Sequence, residues 1–287
     1  MKSLLFLLTF FCSLLSFGQS GWTKQKGELY AQLTYAQFSS TNFYTSNGTF
    51  FETNKFNQKT TTLYAEYGIT NRFTTILNTS FFQANRFEGT NYATGLGNLK
   101  MEFKYALLKK IPLSISVAPE IPLGAEDNFV TSKQPDDFGI ISQINLPTTD
   151  GELNVWTTLA ISSTFLKNKF WTSYYFAHNS RTKAFSNQFK TGVEVGFKVT
   201  EKLYLKTTFS ALGYFTDEPN TDVSFIRGEG TRNSAFSIGA GYTVYKSWGL
   251  VAEYYQGINF PLKASNTYLG PLFSGGITYV IKPKTTE

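Results

Sequence analysis

The chain holds one cysteine, one histidine and only 16% charged residues in a length of 287. Soluble domains carry roughly 25% charged residues, yet the mean hydropathy here is only −0.18. One histidine and one cysteine cannot supply the nitrogen and sulfur ligands of a zinc-type centre, so a metal site of that kind is excluded. No cofactor is implied either, since Gly239-Ala240-Gly241 does not open a helix as a dinucleotide loop must. Scarce charge together with 17% aromatic residues excludes intrinsic disorder. Beyond Gln19 no run approaches the roughly 20 apolar residues that a transmembrane helix needs. A sequence pI near 9.1 could suit nucleic acid, but the basic residues are scattered, and the N-terminus points to export.

That N-terminus is a short basic start, Met1-Lys2-Ser3, followed by a mostly apolar stretch from Leu4 to Leu15. Ser16-Phe17-Gly18 then places small residues where a signal peptidase would cut before Gln19. Residues 1–18 therefore read as a secretory signal that is removed, and residues 19–287 as one domain. The only cysteine, Cys12, leaves with the signal, and Thr9-Phe10-Phe11 lacks the small residue expected ahead of a lipidated cysteine. The mature chain is stabilised without disulfides.

Alternation dominates the remainder. In Asn98 to Leu107 the odd positions are apolar or aromatic, and most even positions are polar or charged. Period two puts these sets on opposite faces of a strand. The same holds where Leu63, Ala65, Tyr67 and Ile69 oppose Tyr64 and Glu66, and where Val193, Val195 and Phe197 oppose Glu194 and Gly196. Soluble sandwiches also alternate, so the choice of solvent rests on loop lengths. Short turns near residues 70–72, 109–112, 166–169, 200–202 and 245–248 take turns with long polar stretches at 39–59, 83–97, 124–151, 181–187, 213–233 and 257–269. Tight turns at one rim and long loops at the other describe an outer-membrane barrel.

Twelve strands satisfy this parity: about 28–38, 60–69, 73–82, 98–108, 113–123, 152–165, 170–178, 188–199, 203–212, 234–244, 249–256 and 270–281. A thirteenth candidate at 139–146 would put later tight turns on the wrong rim, so it is assigned to an external loop as a hairpin extension. The fold class is thus all-β, a transmembrane antiparallel barrel whose partners are the lipid bilayer and a small solute.

Gly95-Leu96-Gly97-Asn98-Leu99-Lys100, followed by Phe103-Lys104-Tyr105 and Leu107-Leu108, resembles a strand motif of the meta-pathway phenol-degradation family of outer-membrane barrels. Glu66 to Phe73 is similar to that family's first tight turn, and Pro119 to Gly124 and Leu146 to Glu152 to its proline-glycine strand end and the return after it. Asn98 stands where the family pattern has an acid, and Thr149 where it has glycine. The resemblance implies a transporter-like barrel for small, hydrophobic or aromatic solutes.

With the apolar sets toward lipid, Glu66, Lys100, Glu102, Lys104, Glu194, Lys198, Lys206 and Glu253 face the lumen. Both signs are present, which calls for ion pairs or a water-filled pore. Trp22, Tyr30, Tyr105, Tyr242 and Trp248 lie near strand ends and fit interfacial girdles. Val195→Arg should harm the barrel, whereas Gly196→Ser, on the inner face, should be mild. An enzymatic rival is His178-Asn179-Ser180, which resembles the His-x-Ser arrangement of outer-membrane phospholipase A, with Asn187 the candidate third group. It departs from that family where Arg181-Thr182 follows Ser180. A third reading is a non-transporting surface barrel whose long loops bind a partner.

Overall fold

The alternating segments become strands because a period-two chain can bury one face only in a sheet, and a sheet in lipid must close to satisfy its edge N–H and C=O groups. The computed structural model describes residues 19–108, 110–135, 137–216 and 228–283. The expected signal segment, residues 1–18, lies outside them. In chain order the first strands are β1 (Leu29–Tyr44), β2 (Phe50–Gly68), β3 (Phe73–Phe87), β4 (Ala93–Gly95), β5 (Asn98–Ala106), β6 (Leu113–Pro122), β7 (Phe129–Thr131) and β8 (Gln143–Asn145). The remainder are β9 (Asn154–Phe165), β10 (Phe170–Arg181), β11 (Gln188–Lys198), β12 (Leu203–Tyr214), β13 (Asn233–Tyr245), β14 (Trp248–Ile258), β15 (Thr267–Leu269) and β16 (Pro271–Ile281).

Twelve of these form a closed antiparallel barrel. Successive long strands pair with one another, and β1 pairs with both β2 and β16, so that Ala31 lies opposite Ala65 on one side and Tyr279 on the other. The short strands decorate the external rim: β4 adds to β3, β15 adds to β1, and β7 pairs with β8 as a separate hairpin, Val130 facing Ile144. The expected hairpin extension at 139–146 is this β8 strand and its approach.

The two faces differ in chemistry as period two requires. On β5, Met101, Phe103 and Tyr105 are 38%, 42% and 42% exposed, whereas Glu102 and Lys104 between them are 6% and 2%. An apolar outside and a polar inside invert a soluble protein and fit a barrel in lipid. Tyr105, Tyr242 and Trp248 lie exposed near the tight-turn rim, with Trp248 packed on Tyr279 at 4.7 Å between ring centroids. The girdle assignment fails for the other two aromatics. Tyr30 shares the inner face with Gln32, to which its hydroxyl is bonded, and Trp22 belongs to a segment folded into the tight-turn mouth.

Inner glycines prove to be sockets rather than free space. A Cβ on Gly196 would come within 1.9 Å of the Trp171 indole, and one on Gly241 within 2.2 Å of the Tyr204 ring. Each pair sits directly across neighbouring strands. The mild outcome expected of Gly196→Ser is therefore corrected: an added side chain would expel Trp171.

Candidate functional site

The lumen is where the barrel gathers its charges. Lys206 on β12 reaches Glu194 on β11 at 3.5 Å and Glu253 on β14 at 3.6 Å. Trp171 donates to Glu194 at 3.0 Å, and Ser237 donates to Glu253 at 2.6 Å. One cation shared by two carboxylates, each with a further donor, compensates charge against the low-dielectric wall.

A second group joins the wall to a segment that precedes β1. Lys24 lies 3.6 Å from Glu66 and 3.6 Å from Glu28, and sits over the Tyr30 ring; the Tyr64 hydroxyl donates to Glu66. The segment's backbone is pinned to inner side chains, Gly21 N–H to Ser162 at 2.8 Å and Lys24 N–H to Thr74 at 2.8 Å. Gly21 is required by close approach, because a Cβ there would stand 1.8 Å from the Pro112 carbonyl oxygen. Residues 19–24 thus run within the tight-turn end of the barrel and narrow it. Lys104, next to Thr74 across the β3–β5 pairing, is buried on the same wall with Glu102 two residues away.

Lys100 belongs to the other end. It faces Glu120 across β5 and β6, and its ammonium lies 5.1 Å from the Trp156 ring centre. Glu120 accepts from Asn98 at 2.6 Å and from Trp156 at 3.0 Å. Lys100 and Lys190 line one cavity of about 520 Å³, toward the long-loop end, and Glu194, Glu253 and Lys206 line another of about 200 Å³ nearer the tight turns. Lys198 is exposed at the tight-turn end of β11, apart from both groups.

Sequence reasoning missed Lys24, Glu28, Glu120, Lys190 and the inner aromatics Trp156, Trp171 and Tyr204. Their parity was readable; Lys24 was not, since it precedes the first strand and no periodicity covers it.

His178 and Ser180 take the outer face of β10 with Tyr174 and Phe176, close to the external rim. The Ser180 hydroxyl lies 3.5 Å from His178 Nδ1, at the limit of a hydrogen bond, and the imidazole packs against Phe215 at 5.2 Å. Asn187 is otherwise engaged, its side-chain oxygen accepting the Arg181 N–H at 2.9 Å, so it does not orient the ring. Among the described residues no group of three or more histidine, cysteine, aspartate or glutamate side chains could hold a metal ion.

External loops are tied by Arg181 at the end of β10. Its guanidinium contacts Glu152, lies 3.5 Å from Asp150 and 3.6 Å from Glu229, and Glu229 in turn accepts from the Ser186 N–H at 3.0 Å. Burial pushes the Glu152 carboxyl up to about 8, against the pull of Arg181 and with the push of Asp150.

No protein-family model matches the chain, and no curated protein matches it by sequence. Solved structures do. An outer membrane channel from Pseudomonas putida F1 superposes with a TM-score of 0.61 at 12% identity, over 93% of this chain and 100% of that one. The translocator domain of the autotransporter NalP from Neisseria meningitidis gives 0.51 at 11% identity, over 89% of each chain. A mutant of TodX, described as a monoaromatic hydrocarbon channel, gives 0.51 at 7%, over 89% of this chain and 90% of that one. At such identities the likeness is one of fold, and the fold is that of an outer-membrane β-barrel.

Proposed function

We propose that the chain is an outer-membrane channel that passes small solutes through a narrow, hydrated lumen. One observation carries this reading: the barrel interior holds polar cavities of about 200 and 520 Å³ lined by charges of both signs. Such a lining stays favourable only when wet or paired, and what is wet can conduct. The cationic end, with Lys100 and Lys190, and the balanced network around Lys206 would tune which solutes enter. Of the eight residues expected in the lumen, Lys100 would belong to the first zone and Glu194, Lys206 and Glu253 to the second, with Glu66, Glu102 and Lys104 beside the Lys24 segment and Lys198 at the rim.

The motif at Gly95 to Lys100 supports membership of the meta-pathway phenol-degradation group, and the likeness to TodX, a monoaromatic hydrocarbon channel, supports small apolar solutes as cargo. Reconstituted in liposomes, the protein should speed swelling in small uncharged solutes well above protein-free vesicles. Vesicles indistinguishable from controls would favour the surface-barrel reading. Hydrolysis of a lipid ester that disappears in Ser180→Ala would instead favour the esterase.

A further inference from the structure

Above the polar lumen, at the external mouth, the chemistry changes abruptly. The extended ends of β1, β2 and β3 and the short β15 bring Phe43, Phe56, Phe87 and Tyr268 together. Phe56 stacks on Tyr268 at 5.0 Å between centroids, Phe43 lies 4.9 Å from the same ring, and Phe56 lies 5.5 Å from Phe87. The segment that carries β8 closes over them with Ile144 and Leu146, Leu146 being buried with Ala93 and Val130. Between these walls lies a cavity of about 660 Å³.

Its lining separates it from the lumen. Among the described residues it contains no Asp, Glu, Lys, Arg or His, whereas the two lumenal cavities contain Lys100, Lys190, Lys206 and Glu253. Its amides are largely spent inside the protein. Asn85 donates to the Pro147 carbonyl at 2.8 Å and accepts from Gln58 at 3.1 Å, and Thr53 donates to the Tyr268 hydroxyl at 3.3 Å. Water in such a space finds few partners, and an ion finds no counter-charge. Ring faces on several sides favour a flat apolar molecule in offset or edge contact. The volume falls in the range of about 300 to 1,000 Å³ that small-molecule sites occupy.

We propose that this chamber is the capture site for uncharged aromatic solutes of one or two rings, holding them at the external mouth before passage. Passage after capture rests on the channel reading, whereas the binding itself does not. The site belongs to the loops and strand extensions, so it can be altered without touching the transmembrane wall.

Naphthalene is the probe, with binding to the full chain in lipid nanodiscs followed by saturation-transfer NMR against empty discs. The wild type should show saturable binding beyond lipid partitioning. Phe56→Asp, which introduces a charge, and Ile144→Trp, which fills the space, should each weaken it by about tenfold or more. Both variants should keep the heat-modifiable gel mobility of a folded barrel and the β-sheet circular dichroism of the wild type. Absence of saturable binding, or affinity unchanged in both variants, would overturn the site. Intact binding in a barrel that conducts nothing would overturn the channel reading and leave the capture site standing.

Discussion

Val195 and Gly196 are adjacent in sequence and answer to different surroundings. Val195 lies on the outer face of β11, and Gly196 is the inner socket of the Trp171 ring, whose indole N–H holds Glu194. Val195→Arg is expected to cost about 2 to 4 kcal/mol if the site is near the bilayer midplane, read from reversible unfolding in lipid vesicles. Gly196→Ser is expected to cost about 1 to 3 kcal/mol through overpacking, while Trp171→Ala with Gly196→Ser should cost less than the sum of the single changes, because the clash disappears. Strict additivity in that cycle would contradict the socket. The alternation in residues 192–199 made the faces legible. The socket was not legible, because it depends on which residue of β10 lies opposite, and register is not written in either strand alone. Asn98 shows the same limit: the departure from an expected acid makes sense only beside Glu120, which would repel a second carboxylate and instead accepts from the amide.

The β1–β2 hairpin and the external hub show what can be read from elements. The polar run at 39–59 looks like a loop, yet β1 runs on to Tyr44 and β2 begins at Phe50. Beyond the membrane a strand needs no apolar outer face, so period-two hydrophobicity fades although the ladder continues, and cross-strand rings such as Tyr44 and Phe50 at 5.5 Å hold it. Ends in register with lipid were legible; those in water were not. In the hub, one guanidinium meets three carboxylates, and the Glu152 carboxyl is raised from 4.5 to about 8 by burial first. A raised acid stabilises the folded loops fully below its ordinary value, and the contribution is lost as pH rises through about 8. Trypsin cleavage after Lys183, normalised to a peptide substrate, should therefore increase between about pH 6 and 8 and level off above that in the wild type, and stay level throughout in Glu152→Gln. A wild-type profile as flat as the variant's would contradict the shift. The segment before β1 is a further element with a readable consequence. Gly21→Val cannot keep its approach to Pro112, so the segment should lift from the wall and conductance should rise several-fold, with the barrel's mobility on gels unchanged.

At the scale of the whole molecule, labour is divided by height. An aromatic chamber with no charge among its described lining residues crowns the external mouth, Lys100 and Lys190 line the cavity beneath it, and the Lys206 and Lys24 networks occupy the tight-turn end. The low charge and abundant aromatic residues of the sequence fit this plan, since the outer wall presents rings such as Phe103, Tyr105, Tyr174 and Phe176 to lipid and the charges are gathered inside. Single-channel recording across planar bilayers tests the central claim most directly. The purified chain should give discrete conductance steps, and Lys100→Glu should shift the reversal potential in a salt gradient toward cation preference. Silent bilayers, or steps whose ion preference ignores the charge at residue 100, would contradict a conduit through this lumen.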